Sequence, residues 1–186
     1  MEAFDPRMGS VIVAEELELL KGRIIANMHA QNAVASGRTI RSLKVVPEEY
    51  GAALVSEQQM PFGVLETGRR GGKIPYGFAG IIYQWMQDKG VHGEMERPFR
   101  VYLKSANMYV ERTRHFKTQE QADRSMAGAI AHTIAKSGSS LYRKGGRDTI
   151  YSQEIPKTIA RIEEKLSHFV EAVVMEQIKL NKTGGQ

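Results

Sequence analysis

Apolar residues recur three or four positions apart along several stretches of the chain, and that period predicts helices. Val13, Leu17, Leu20, Ile24 and Met28 share one face of a segment from about Ser10 to Asn32. Asp5, ahead of Pro6, or Ser10 is placed to cap its start, and Gly37 in "ASGRT" breaks the pattern. Phe78, Ile81, Ile82, Trp85 and Met86 form a second stripe, with Gly90 where a helix C-cap belongs. "TQEQ" reads as a capping box, Thr118 capping and Gln121 reaching back. The helix it opens, to about Lys136, is rich in alanine (Ala122, Ala127, Ala129, Ala131, Ala135), which lets another element approach closely. The last helix is expected from about Ile155 to Leu180, with Pro156 in its first turn. Along it Ile155, Ile159, Ile162, Leu166, Phe169 and Val173 alternate spacings of four and three, a heptad-like seam. Two readings fit that seam: packing against the domain's own sheet, or a helix shared with a neighbouring subunit.

Between the first two helices the period shortens. "IRSLKVV" reads either as a helical turn from Thr39 or as the entry to a strand ending at Pro47. "GAALVSEQ" and "MPFGVLET" read as short strands, the latter with Pro61 at its start, where a missing donor does least harm. The three predict a small antiparallel sheet paired as a meander. Over 91–117, "RPFRVYLK" suggests a strand, but "NMYVERTRHFK" shows no clean period, so residues 94–117 read as an insertion or extended arm. The expected class is α+β. A small antiparallel sheet packs against a long N-terminal helix, a central helix and a long C-terminal helix, in a single domain over 1–186.

Composition narrows the chemistry. At 186 residues, 41% apolar and 25% charged, the chain falls among ordinary globular proteins. Its acidic, polar start does not resemble a signal peptide, and no run approaches the roughly 18 apolar residues of a membrane span. A protein made and folded in a cytoplasm is expected. There is no cysteine, which excludes disulfides, thiolate metal sites and a cysteine nucleophile. The net charge of +5 is compatible with a polyanionic neighbour.

The stretch "LETGRRGGKIPYGF" invites comparison with a phosphate-binding loop, but the spacing fails. A Walker A loop requires glycine five positions before Gly72, where Thr67 stands, and Ile74 follows Lys73 in place of a serine or threonine. "GRRGG" also lacks the dinucleotide fingerprint. His29, His92, His115, His132 and His168 are scattered, and "HGE" at 92–94 has no cysteines to complete a zinc site. "GSS" at 138–140 is no nucleophile elbow. Neither catalysis nor a cofactor or metal is expected. Two glycine-rich basic turns remain: Arg69, Arg70 and Lys73 beside Tyr76, and Arg143, Lys144 and Arg147 beside Tyr142. They suit either phosphate contact or solvated, subunit-pairing turns.

The order of these features resembles the tail-completion or neck proteins of tailed bacteriophages. An N-terminal helix leads to "SGRTIRSLKVV", short strands and "FGVLETGRRGGKIPYGFAGIIYQWMQDKGV", with "LYRKGGRDTIY" later. These stretches are most similar to Bacteroides-type phage and prophage versions, which read "FGxLExGRKGGKVPxGFxxIIxxWxxDKGI" and "LYRxGGRDxIY". The resemblance implies a virion protein that forms a closed ring of six or twelve copies in the neck. Such a ring joins the portal or adaptor of the head to the tail proteins and lets DNA pass. It implies no membrane and no cofactor, with the basic turns facing DNA in the lumen or a neighbouring subunit.

Overall fold

The computed structural model describes residues 7–57 and 62–183. The class is α+β, with long helices at both ends of the described chain and antiparallel strands between them. The chain divides into two compact units. One comprises the residues up to Thr67 together with those from Arg147 onward; the other is the intervening Gly68–Gly146.

The first unit is built on α1 (Arg7–Ala30). Glu16, Leu20, Ile24 and Met28, each four residues from the next, are its buried positions. Ser10 lies inside this helix and so does not cap it, and Asp5 and Pro6 lie outside the described residues. "IRSLKVV" follows both of its readings in turn: α2 (Arg38–Ser42) is a helical turn, and β1 (Leu43–Glu48) is a strand that runs through Pro47. β1 pairs antiparallel with β2 (Gly51–Ser56), from Leu43 opposite Ser56 to Glu48 opposite Gly51.

The expected third strand does not form. After Pro61, which lies outside the described residues, Phe62 and Gly63 turn into α3 (Val64–Thr67). Phe62 and Leu65, three apart, then reach one core, as residues on one side of a helical turn do. That core gathers Leu20, Ile24, Met28, Leu43 and Ile150, with Leu54 and Tyr151 packed around them.

The unit closes with α7 (Glu154–Thr183), about 45 Å long for its 30 residues. It runs antiparallel to α1: Thr158 lies by Arg23, Arg161 and Lys165 by Glu16, and Leu166 by Gly9.

The second unit is a helix pair carrying a ribbon. In α4 (Phe78–Lys89), Phe78, Ile82 and Met86 are buried, whereas Ile81 and Trp85 of the expected stripe are 48% and 41% exposed. Gly90 caps its end in the left-handed conformation at φ 64°. α5 (Gln119–Ser137) meets it through Ala127 and Ala131, and Ile74, Met126 and Ile130 seal the edges. The cap of α5 is as read: Thr118 Oγ1 accepts from the Gln121 backbone N–H. Gln121 reaches back to the N–H of Lys117.

Residues 94–117 form a β-hairpin in a separate two-stranded sheet, β3 (Glu96–Leu103) with β4 (Met108–His115). Asn107, at φ 49°, turns the chain between them. Among the described residues, the expected meander is thus replaced by two separate hairpins.

Candidate functional site

The two glycine-rich basic segments, 65–73 and 138–148, meet in each unit. In the first unit, α3 delivers Glu66 into a turn just ahead of α7. Its Oε1 accepts from the backbone N–H groups of Ile150, Tyr151 and Ser152 at 2.8, 2.7 and 3.0 Å. Its Oε2 accepts from the Ser152 hydroxyl. Burial pushes the Glu66 carboxyl up, but these hydrogen bonds outweigh burial and hold it below the usual range. Arg147 completes the joint: its backbone N–H donates to Glu66 O at 2.9 Å and its Nε to Leu65 O at 3.0 Å.

In the second unit, the same two segments dock backbone to backbone. Ser139 Oγ accepts from Arg69 N at 2.9 Å, and Ser139 N donates to Arg69 O at 2.8 Å. Gly72 N donates to Ala135 O at 2.7 Å. The glycines make this approach possible. At Gly68 (φ 70°) a Cβ would stand 2.4 Å from Tyr142 N, and at Gly138 (φ 81°) one would stand 2.9 Å from Arg69 O. Close main-chain packing, rather than a phosphate cradle, accounts for these glycines.

The six candidate cations therefore separate. Arg147 braces the first unit, reaching Gln31 O as well as Leu65 O. Arg69 lies half-buried with its guanidinium 5.0 Å from the Phe78 ring centroid and Nη2 on Lys73 O. Arg70, Lys73, Arg143 and Lys144 are exposed, with Tyr76 fully exposed and Tyr142 partly so. These four remain available to a partner.

"HGE" belongs to a different node. Asp123, buried on α5, accepts from Gln119 Nε2, from Gly93 N at 2.7 Å and from Gln87 Nε2, and His92 Nδ1 lies 3.2 Å away. The Gln119 amide and the Gly93 N–H hold its carboxyl well below the usual range against the effect of burial, with Gln87 and His92 adding to them. This node pins the loop after α4 to α5. A Cβ on Gly93 would meet Ala122 O at 2.5 Å. No group of three or more potential metal-ligating side chains occurs among the described residues.

The α7 seam is only partly covered. Ile162, Leu166, Phe169 and Val173 are half-buried, whereas Ile155 and Ile159 are 40% and 50% exposed. Val170, Val174, Met175 and Ile178 extend the exposed apolar surface. The edge that packs on α1 is polar. Buried Glu16 is held by Lys165 Nζ at 2.8 Å and Arg161 Nε at 3.1 Å, and the Lys165 hydrogen bond leads in keeping its carboxyl ionised.

Charge is divided unevenly along the chain. Residues 68–146 hold fourteen arginines and lysines against six carboxylates, a net +8, while the rest hold twelve against fifteen, a net −3. The hairpin contributes to this excess. Within the second unit a groove of about 730 Å³ runs along α5, floored by Met126 and Ile130 and bordered by Arg97 of β3 and by Arg143.

Glu16, Glu66 and Asp123 escaped the sequence reading. Glu16 stands four before Leu20 and Asp123 four before Ala127, both in buried helical register, and that position was the available signal.

No helix among the described residues is long and apolar enough to cross a membrane. Comparison with protein-family models, with curated proteins and with solved structures finds no match.

Proposed function

We propose that this chain is a structural protein of the neck of a tailed bacteriophage. It forms a closed ring that joins the portal or adaptor of the head to the tail and lets DNA pass, and it works without catalysis. The observation that carries this reading is α7, which meets buried Glu16 of α1 through Arg161 and Lys165 and leaves Ile155, Ile159, Val170, Val174, Met175 and Ile178 exposed. A monomer gains nothing from that arrangement, whereas a self-associating chain covers the seam with a neighbour. The resemblance of "FGVLETGRRGGK" and "LYRKGGRDTIY" to neck proteins supports the neck as the place of assembly. Both stretches contribute to the close-packed joints of the fold, so the likeness lies in residues with structural work to do.

The net +8 of residues 68–146 favours a second reading, a basic nucleic-acid-binding module of a mobile element. Native mass measurement separates the two. The neck reading expects a closed oligomer of defined copy number, alone or on addition of portal and adaptor proteins. Ile159→Asp with Val170→Asp is expected to return it to monomer with unchanged helical circular dichroism. A wild-type chain that stays monomeric in every mixture and is missing from purified particles would overturn the neck reading.

A further inference from the structure

The β3–β4 ribbon presents two faces of opposite electrostatic design. Directly opposed residues share a face, so one face carries Glu96 with His115, Arg100 with Glu111, and Tyr102 with Tyr109. There the ionisable residues are matched across the strands: Glu96 and His115 lie 3.1 Å apart, and Arg100 and Glu111 lie 3.5 Å apart. The other face carries Arg97 opposite Arg114 and Phe99 opposite Arg112, followed by Val101 opposite Val110 and Leu103 opposite Met108. It has three arginines and no carboxylate. Arg114 stacks over Phe99 at 5.4 Å, and among the described residues no carboxylate forms an ion pair with any of the three.

Like charges directly opposed across a ladder destabilise it. The matched face shows that this ribbon is capable of pairing its charges, so the arginine face is a local conflict that an external anion would relieve. Arg97 also borders the groove that Arg143 borders, which joins this face to the exposed basic turn at 143–144.

We propose that the arginine face of this ribbon, through Arg97, Arg112 and Arg114, is a binding surface for the phosphate backbone of nucleic acid, double-stranded DNA in particular. Guanidinium forks bind phosphate oxygens bidentately, and a two-stranded ribbon has the width to lie in the major groove of a duplex. The face carries no asparagine, glutamine or carboxylate to select adenine or cytosine edges, and the contact proposed for its arginines is with the backbone. The cations sit near the base of the ribbon, while its tip between Leu103 and Met108 carries a single lysine, Lys104. An anionic membrane would be met by the tip first, so the arrangement favours a duplex lying across the face. This inference stands on residues other than those that carry the neck reading.

The test is fluorescence anisotropy with a labelled random-sequence duplex of about 30 base pairs, titrated with the full chain across a salt series. Wild type should bind with affinity that falls steeply with salt. In Arg97→Gln, Arg112→Gln, Arg114→Gln together, affinity near 0.1 M salt should fall about tenfold or more, and the log–log salt slope should drop by about 2 to 3. Arg100→Gln, on the matched face, should leave affinity within about twofold, and circular dichroism checks folding for each variant. The proposal is overturned by a triple variant that binds like wild type, by equal loss in Arg100→Gln, or by no duplex binding at all. Arginine-dependent binding to phosphatidylserine vesicles but not to duplex would likewise overturn it. Oligomer mass in the same samples keeps this outcome apart from that of the neck reading, since a ring that ignores DNA sinks only the ribbon proposal.

Discussion

Glu66 shows how one side chain sets the behaviour of a whole joint. Its carboxylate takes three backbone N–H groups and one hydroxyl from Ile150–Ser152, an anion-binding nest occupied by the protein's own side chain. Replacing it with glutamine turns an amide group toward those donors, and the expected loss near neutral pH is about 2–3 kcal/mol. The pH dependence has a definite sign. The folded carboxyl lies below its ordinary value of 4.5, so its stabilisation is fully present above that pH and fades as pH falls through the folded value. Denaturant unfolding at pH 7 and pH 3.5 should therefore show a wide gap between wild type and Glu66→Gln that narrows in acid. An equal gap at both pH values would mean that the charge does not hold the joint. Glu66 was hard to find in the sequence because an acid near the end of an expected strand looks solvated until its donors, more than eighty residues away, are known.

Among the elements, the helices were legible and the strands much less so. Leu20, Ile24 and Met28 repeat every four residues, and a period sustained over several turns leaves little choice. "MPFGVLET" is too short for that: Phe62 and Leu65 are apolar at a spacing that serves a helical turn as well as an extended chain. β4 was missed because both of its faces are exposed along most of its length, so alternation has no core to record. The docking of "GRRGG" on "SGSSLYR" was not legible in the sequence, since a glycine chosen for close approach carries no mark of what approaches it. A two-stranded ribbon that contributes no residue to either core cluster is marginal alone and lends them little. Replacing residues 98–113 with a two-residue Asn-Gly turn should accordingly shift the thermal midpoint by no more than about 4 °C, roughly 1 kcal/mol. A collapse of the α4–α5 core in that variant, read by circular dichroism, would show that the ribbon supports the fold after all.

At the scale of the whole molecule, two hydrophobic cores belong to two stretches of sequence, one of them interrupted by the other. The interrupted unit carries the long α7 seam, and the interrupting one carries the excess positive charge. The proposals of assembly and of polyanion contact thus rest on different parts of the chain, and the variants that test each should leave the other intact. The bond from Arg147 N to Glu66 O, at 2.9 Å, has a consequence of a different kind. It holds the points where the chain leaves and regains the first unit side by side, like the two sides of a doorway. Residues 68–146 then form a cassette whose points of departure and return lie together in the first unit. Joining Thr67 to Arg147 through a short Gly-Ser bridge should yield a protein that still melts cooperatively by circular dichroism and has lost its affinity for duplex. A spliced chain with no melting transition would show that the doorway needs its passage occupied. A folded one would make this site a natural port for grafting other insertions.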